Sequence, residues 1–167
     1  MGAAKHLLCY LAGSADFSIT YKQGGFRLAV FSDANWGNNP DNGRSTSSYI
    51  VMLANAPIRL KVRLQGLTAQ STMEAELVAA ALTMKNAVFC SNMILELGFD
   101  ESFGSVLYIN NTSALHVAGN RTYSPRAKHI VVRYFFVQEL VGEGKISIHY
   151  VKTEDQPADL ATKHLSK

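Results

Sequence analysis

The chain has 167 residues, enough for one domain with a sizeable core and too few for two full ones. Hydrophobic residues make up 47% and charged residues 17%, which excludes a disordered chain, and no apolar run approaches the roughly 18 to 20 residues of a membrane span. The formal charge of +3 is small, and the two cysteines, Cys9 and Cys90, lie far apart without a C-x-x-C, so neither a disulfide framework nor a zinc finger is expected. The opening Met1-Gly2-Ala3-Ala4-Lys5-His6 lacks the apolar stretch of a secretory signal, and a reducing interior compartment fits.

Residues 4–12 carry apolar positions at helical spacing and stop at Gly13, which predicts a short helix. Phe17 to Tyr21 reads as a short strand, and the stretch before about residue 26 as a separate flap. Leu28 to Ser32 is a β-rich run, joined by a long turn containing Asn42-Gly43 to a second strand over Ser47 to Leu53. From Ile58 to Leu64 aliphatic and basic residues alternate strictly, predicting a third strand with Arg59, Lys61 and Arg63 on one face and the aliphatics on the core face. Between Ser71 and Leu97 the period becomes helical, and Gly98 follows. Then come a strand (Val106–Ile109), a short helix (Thr112–Ala118), a helix (Ala127–Val141), a strand (Lys145–Val151) and a last helix (Pro157–Leu165). An antiparallel meander followed by alternating helices and strands predicts a mixed sheet with helices, in the α+β or α/β range.

Basic residues cluster without acids. Between Asp41 and Glu74 stand Arg44, Arg59, Lys61 and Arg63; between Glu101 and Glu139 stand Arg121, Arg126, Lys128 and Arg133, interleaved with Tyr123, Tyr134, Phe135 and Phe136. Such clusters offer contacts to a polyanion, although a solvated basic face reads the same way. Four positions at strand ends or helix starts attract attention: Asp33, the pair Glu74 and Glu76, Asn110, and Asp159. Polar residues at the strand ends of one sheet converge on one spot, and carboxylates meeting there call for divalent cations. Each also has an ordinary use, as a turn former or a helix-start anion.

The strings around these residues are more specific. Ser32-Asp33-Ala34-Asn35-Trp36-Gly37, Arg44-Ser45-Thr46-Ser47-Ser48-Tyr49, Ser71-Thr72-Met73-Glu74-Ala75-Glu76, Asn110-Asn111-Thr112-Ser113-Ala114, Lys128-His129-Ile130 and Gln156-Pro157-Ala158-Asp159-Leu160-Ala161-Thr162-Lys163 occur in the order and spacing of one family. The chain resembles, from about residue 4 to its end, the ribonuclease H domain of copia-type LTR retrotransposon polyproteins. That resemblance implies a ribonuclease H-like fold, a five-stranded mixed sheet flanked by helices. Residues 1–25 would link it to the reverse transcriptase part, through Leu7, Leu8 and Leu11, and residues 26–167 would form the ribonuclease H domain.

It also implies hydrolysis of the RNA strand of RNA–DNA hybrids with two Mg²⁺ ions, Mn²⁺ substituting. The ligands carried over are Asp33, Glu76 (with Glu74 close enough to be confused with it), Asn110 and Asp159. The family pattern has Asp where this chain has Asn110, so one site loses an anionic ligand. A decayed copy and a deliberate Asp→Asn change both fit. The family also reads Asp where Asn35 stands, and Asn35 is assigned to turn formation. Donors and acceptors for 2′-hydroxyls are expected at Asn38, Asn39, Ser71, Thr72, Asn111 and Ser113, and phosphate contacts at Arg126, Lys128 and His129. The loop from Lys152 to Ala158 contains no His, which leaves Glu154 as a candidate for product release. An intracellular domain, monomeric in isolation and working in a virus-like particle without membrane contact, is expected. The alternative is a non-catalytic module of the same fold that holds nucleic acid or a protein, with an integrase-like strand transferase third.

Overall fold

The structure, a computed structural model, describes residues 2–22, 27–99, 104–112 and 128–163. Its elements run α1 (Gly2–Gly13), β1 (Ala29–Asn35), β2 (Thr46–Leu53), β3 (Ala56–Leu64), α2 (Thr72–Glu96), β4 (Ser105–Ile109), α3 (Lys128–Gly142) and β5 (Ile146–Tyr150). Two 3₁₀ turns follow, η1 (Thr153–Asp155) and η2 (Pro157–Ala161). The five strands form one sheet in the order β3-β2-β1-β4-β5. β1–β2 and β2–β3 are antiparallel, whereas β1–β4 and β4–β5 are parallel, the mixed sheet expected.

Local chemistry fixes the connections. In the β1–β2 loop, Asn39 Oδ1 accepts from the Asp41 amide (2.9 Å) and Asn42 Oδ1 from the Arg44 amide (3.0 Å), with Gly43 at φ 64°. The β2–β3 hairpin turns through Ala54 (φ 53°) and Asn55 (φ 61°), two left-handed residues as a primed two-residue turn demands. Helix α2 starts in a capping arrangement: Ser71 Oγ accepts from the Glu74 amide (3.2 Å), and Glu74 Oε2 accepts from the Gln70 amide (2.8 Å). On length and composition α2 could cross a membrane, yet Leu77, Ala80, Met84, Ala87 and Cys90 are buried in the domain core. They pack with Val30, Tyr49, Val51, Leu107, Ile109, Tyr134, Val137 and Ile146 between the sheet and the helices.

Three expectations need correction. Phe17–Tyr21 forms no strand; this segment is tied to the β2–β3 turn by Tyr21 Oη donating to Pro57 O (3.0 Å) and by the Lys22 amide donating to Ala54 O (3.1 Å). Of the last helix expected over Pro157–Leu165, the described residues form a single 3₁₀ turn, η2, opened by Pro157, and residues 164–165 lie outside the described residues. On β3 the aliphatic face is not a core face: Ile58, Leu60 and Val62 are 40%, 57% and 45% exposed, and Arg59, Lys61 and Arg63 on the other face are exposed as well. Arg59 faces α2, its guanidinium 5.1 Å from the centre of the Phe89 ring and its Nε donating to Tyr49 Oη (3.2 Å). Alternation separates two faces, but on this edge strand neither is covered. Of the helix expected over Thr112–Ala118, all but Thr112 lies outside the described residues.

Candidate active site

Because β1 and β4 run parallel, their C-terminal ends meet at one edge, and Asp33 and Asn110 sit there. Asn110 follows β4 directly and is half-buried, and the β1–β4 register continued by two residues sets it beside Asp33. The second turn of α2 brings Glu76, and η2 brings Asp159. Asp33 and Glu76 are 3% and 7% exposed.

Buried carboxylates resist ionisation, and these also face each other. Glu76 is pushed up to about 8 by burial first and by the charge of Asp33 next, against which the Ala34 amide donates a hydrogen bond. Asp33 is raised too, mainly by burial, with the Thr162 hydroxyl opposing and the charge of Asp159 adding. Thr162 Oγ1 donates to Asp33 Oδ2, and Lys163 Nζ pairs with Asp159 Oδ2. Glu76 Oε2 and Asp159 Oδ1 are buried without a partner among the described residues.

This donor set of hard, crowded, partly orphaned carboxylate oxygens fits divalent cations such as Mg²⁺ or Mn²⁺. As the side chains stand, no group of three His, Cys, Asp or Glu among the described residues is set to hold an ion. Thr162 and Lys163 occupy the oxygens an ion would take, and the fourth position, Asn110, is neutral. Glu74, also buried, has its Oε2 accepting from the Gln70 amide at the start of α2.

The segment carrying Asp159 is held by residues that sequence reasoning passed over. Gln156, 3% exposed, donates from Nε2 to Ser32 O (3.0 Å) and Tyr108 O (3.5 Å), so one amide spans the ends of β1 and β4, while its Oε1 accepts from the Ala158 amide (3.4 Å). Ser48 Oγ donates to Ala158 O (2.6 Å). Asn35, assigned above to turn formation, donates from Nδ2 to Thr162 O (2.9 Å) and so clamps η2 to β1. A buried Gln after a polar loop was the available signal. Trp36 projects a half-exposed ring near this edge, fixed by Nε1 donating to Ala69 O (2.9 Å).

The residues expected to contact nucleic acid are partly committed elsewhere. Asn38 Oδ1 accepts from Thr46 Oγ1 (2.9 Å), Asn39 holds its own turn, and Ser71 caps α2. Thr72 is exposed at the start of α2 and Asn111 is half-buried beside Asn110. Ser113 and Arg126 lie outside the described residues; Lys128 and His129 open α3, but their side chains lie outside the description.

No protein-family model matches the chain. It is 36% identical over 166 residues to the retrovirus-related Pol polyprotein from transposon RE2 of Arabidopsis thaliana, a match covering 99% of this chain and 11% of the polyprotein. The N-terminal RNase H domain of rv2228c from Mycobacterium tuberculosis superposes with a TM-score of 0.61 at 12% identity, covering 83% of this chain and 91% of that one. LC11-RNase H1 in complex with RNA/DNA hybrid superposes at 0.57 and 9% identity, covering 78% and 89%.

Proposed function

We propose that this chain, related along its length to retrovirus-related Pol polyproteins of plant transposons and built on the ribonuclease H fold, is the ribonuclease H domain of such a polyprotein, of copia type. It acts on the RNA strand of RNA–DNA hybrids and is impaired as it stands. The observation that carries this reading is the convergence of Asp33, Glu76 and Asp159, from three separate elements, with buried oxygens left unpartnered.

In this reading Asp33, Glu76, Asp159 and Asn110 would hold two divalent cations. When bound, such ions supply charge to an attacking water and to the leaving 3′-oxygen of a phosphodiester. The chain's own contribution is placement. Gln156 locks the ends of β1 and β4 together, and Ser48 and Asn35 fix η2, so Asp159 cannot drift from Asp33. Burial, and next the charge of Asp33, raise the protonation of Glu76, so cation binding there would displace a proton. Asn110 offers an oxygen without charge, which weakens one site.

The second reading, a module that binds without cutting, draws support from the same cluster: Thr162 and Lys163 satisfy carboxylate oxygens internally, and Asn110 is neutral. The chain's partner would be the reverse transcriptase region of the polyprotein, docking on α1, where Leu7, Leu8 and Leu11 are exposed. Cleavage of an end-labelled RNA–DNA hybrid in Mg²⁺ and in Mn²⁺, comparing the parent with Asn110→Asp, decides between the two. Cutting of the RNA strand by Asn110→Asp alone, with double-stranded DNA and RNA left intact, is the expected outcome. Hybrid binding without cutting by either protein would move the binding module ahead.

A further inference from the structure

A second feature lies on the helical side of the sheet, away from the carboxylates. Helix α2 presents Val78, Leu82 and Lys85 along one stripe, and Lys85 lies about 13 Å along the axis from Glu76 at 1.5 Å per residue. This stripe, α3 and the end of β3 enclose a groove of ≈ 520 Å³. Three cations from three elements line it, Arg63, Lys85 and Arg133, and none forms an ion pair among the described residues. Its floor holds two orphaned polar atoms: Arg133 Nη1 is buried without an acceptor, and Gln65 Oε1 without a donor. Gln65 is 4% exposed and locked in place, its Nε2 donating to Ser47 Oγ (2.8 Å) and Ala75 O (2.9 Å).

Buried polar atoms are normally paired, and leaving one unmet costs about 1–3 kcal/mol. Here the unmet donor is cationic and the unmet acceptor neutral. A bare anion would answer Arg133 but not Gln65. A ligand carrying both an anionic oxygen and a hydroxyl or amino hydrogen answers both, and the half-buried Phe136 and Leu82 supply an apolar wall for a ring. We propose that this groove binds a nucleotide unit, its phosphate held by Arg63, Lys85 and Arg133 and its sugar hydroxyl or base amino group donating to Gln65. The source is either a strand of a nucleic acid lying across the carboxylate edge or a free nucleotide. The strand source rests on the hybrid-binding reading above; the groove's chemistry does not.

The test uses the full chain with metal chelated, so that nothing is cut. The probes are inorganic phosphate, AMP and a short RNA–DNA hybrid, each followed by NMR at the Gln65 side-chain amide. Hybrid affinity is measured in parallel for the parent and for Arg63→Ala/Lys85→Ala, two exposed side chains whose removal leaves the core intact. A strand source predicts that hybrid moves the Gln65 resonances, that the double variant binds hybrid about tenfold more weakly, and that its salt slope falls by about 1. A free-nucleotide source predicts that AMP moves them and that hybrid affinity is indifferent to the variant. If the parent binds no hybrid while AMP still shifts Gln65, the hybrid reading fails and the groove stands. The inference is overturned if no probe moves Gln65, or if inorganic phosphate binds as tightly as AMP.

Discussion

Replacing Glu76 by Gln tests the electrostatics of the carboxylate cluster directly. Glu76 has an ordinary value of 4.5 and is pushed up to about 8 in the fold. A group whose folded-state pKa is raised binds more protons when folded than when unfolded across that window. Stability is therefore full below about pH 4.5 and is lost as pH rises toward 8. At about 1.4 kcal/mol for each pH unit, the total loss is about 4 to 5 kcal/mol. Gln has nearly the same shape and no charge, so Glu76→Gln removes most of this slope. It should come within about 1 kcal/mol of the parent at pH 5 and exceed it by several kcal/mol at pH 8, on the order of 10 °C in Tm for a chain of this size. Denaturant titrations from pH 5 to 8.5 in chelator measure both quantities. Adding Mg²⁺ or Mn²⁺ at pH 8 should then raise the stability of the parent and leave Glu76→Gln nearly unchanged. A parent whose stability is flat or rising between pH 5 and 8 would refute the reasoning, as would a variant that tracks it.

Gln156→Leu strands Ser32 O and the Ala158 amide, so a loss of about 2–3 kcal/mol is expected in denaturant melts. In the Asn110→Asp background it should also lower cleavage more than hybrid affinity, because it frees the segment that carries Asp159. Ala54→Gly relieves a left-handed non-glycine residue and should stabilise the hairpin by about 0.5–1 kcal/mol, read from the denaturation midpoint. Gly104→Ala does the opposite: its Cβ would stand 3.1 Å from Gly144 O and 3.2 Å from Lys145 O, backbone atoms that cannot step aside. A loss of about 1–3 kcal/mol is expected in the same assay.

Burial explains which parts of this fold were legible in sequence. The periods of β1, β2 and α2, the glycine after α2 and the Asn-Gly turn are local signals, and each element formed within a few residues of its expected bounds. The edge strand β3 shows the limit. Its alternation was plain, but whether either face is covered depends on the strand's place in the sheet, and at the edge both faces of residues 58–63 stay exposed. Pro157 started a turn, as its fixed φ allows, and the segment it opens is 3₁₀ over residues 157–161, tied to strand residues by Gln156 and Ser48.

The candidate site divides the same way. Asp33, Glu76 and Asp159 were identifiable as charged residues at element junctions within ordered motifs, and the substitution at Asn110 was visible by its residue type alone. The spacing of Glu74 and Glu76 left both open as ligands; in the fold Glu74 accepts from the Gln70 amide at the start of α2, whereas Glu76 feels the charge of Asp33. The Gln156 clamp, the role of Asn35, the elevated protonation of Glu76 and the groove around Gln65 required tertiary structure. Each depends on atoms from elements distant in the chain meeting where water is excluded. A sequence fixes local periods and residue chemistry through neighbouring residues, but desolvation and long-range hydrogen bonds exist only once the elements pack.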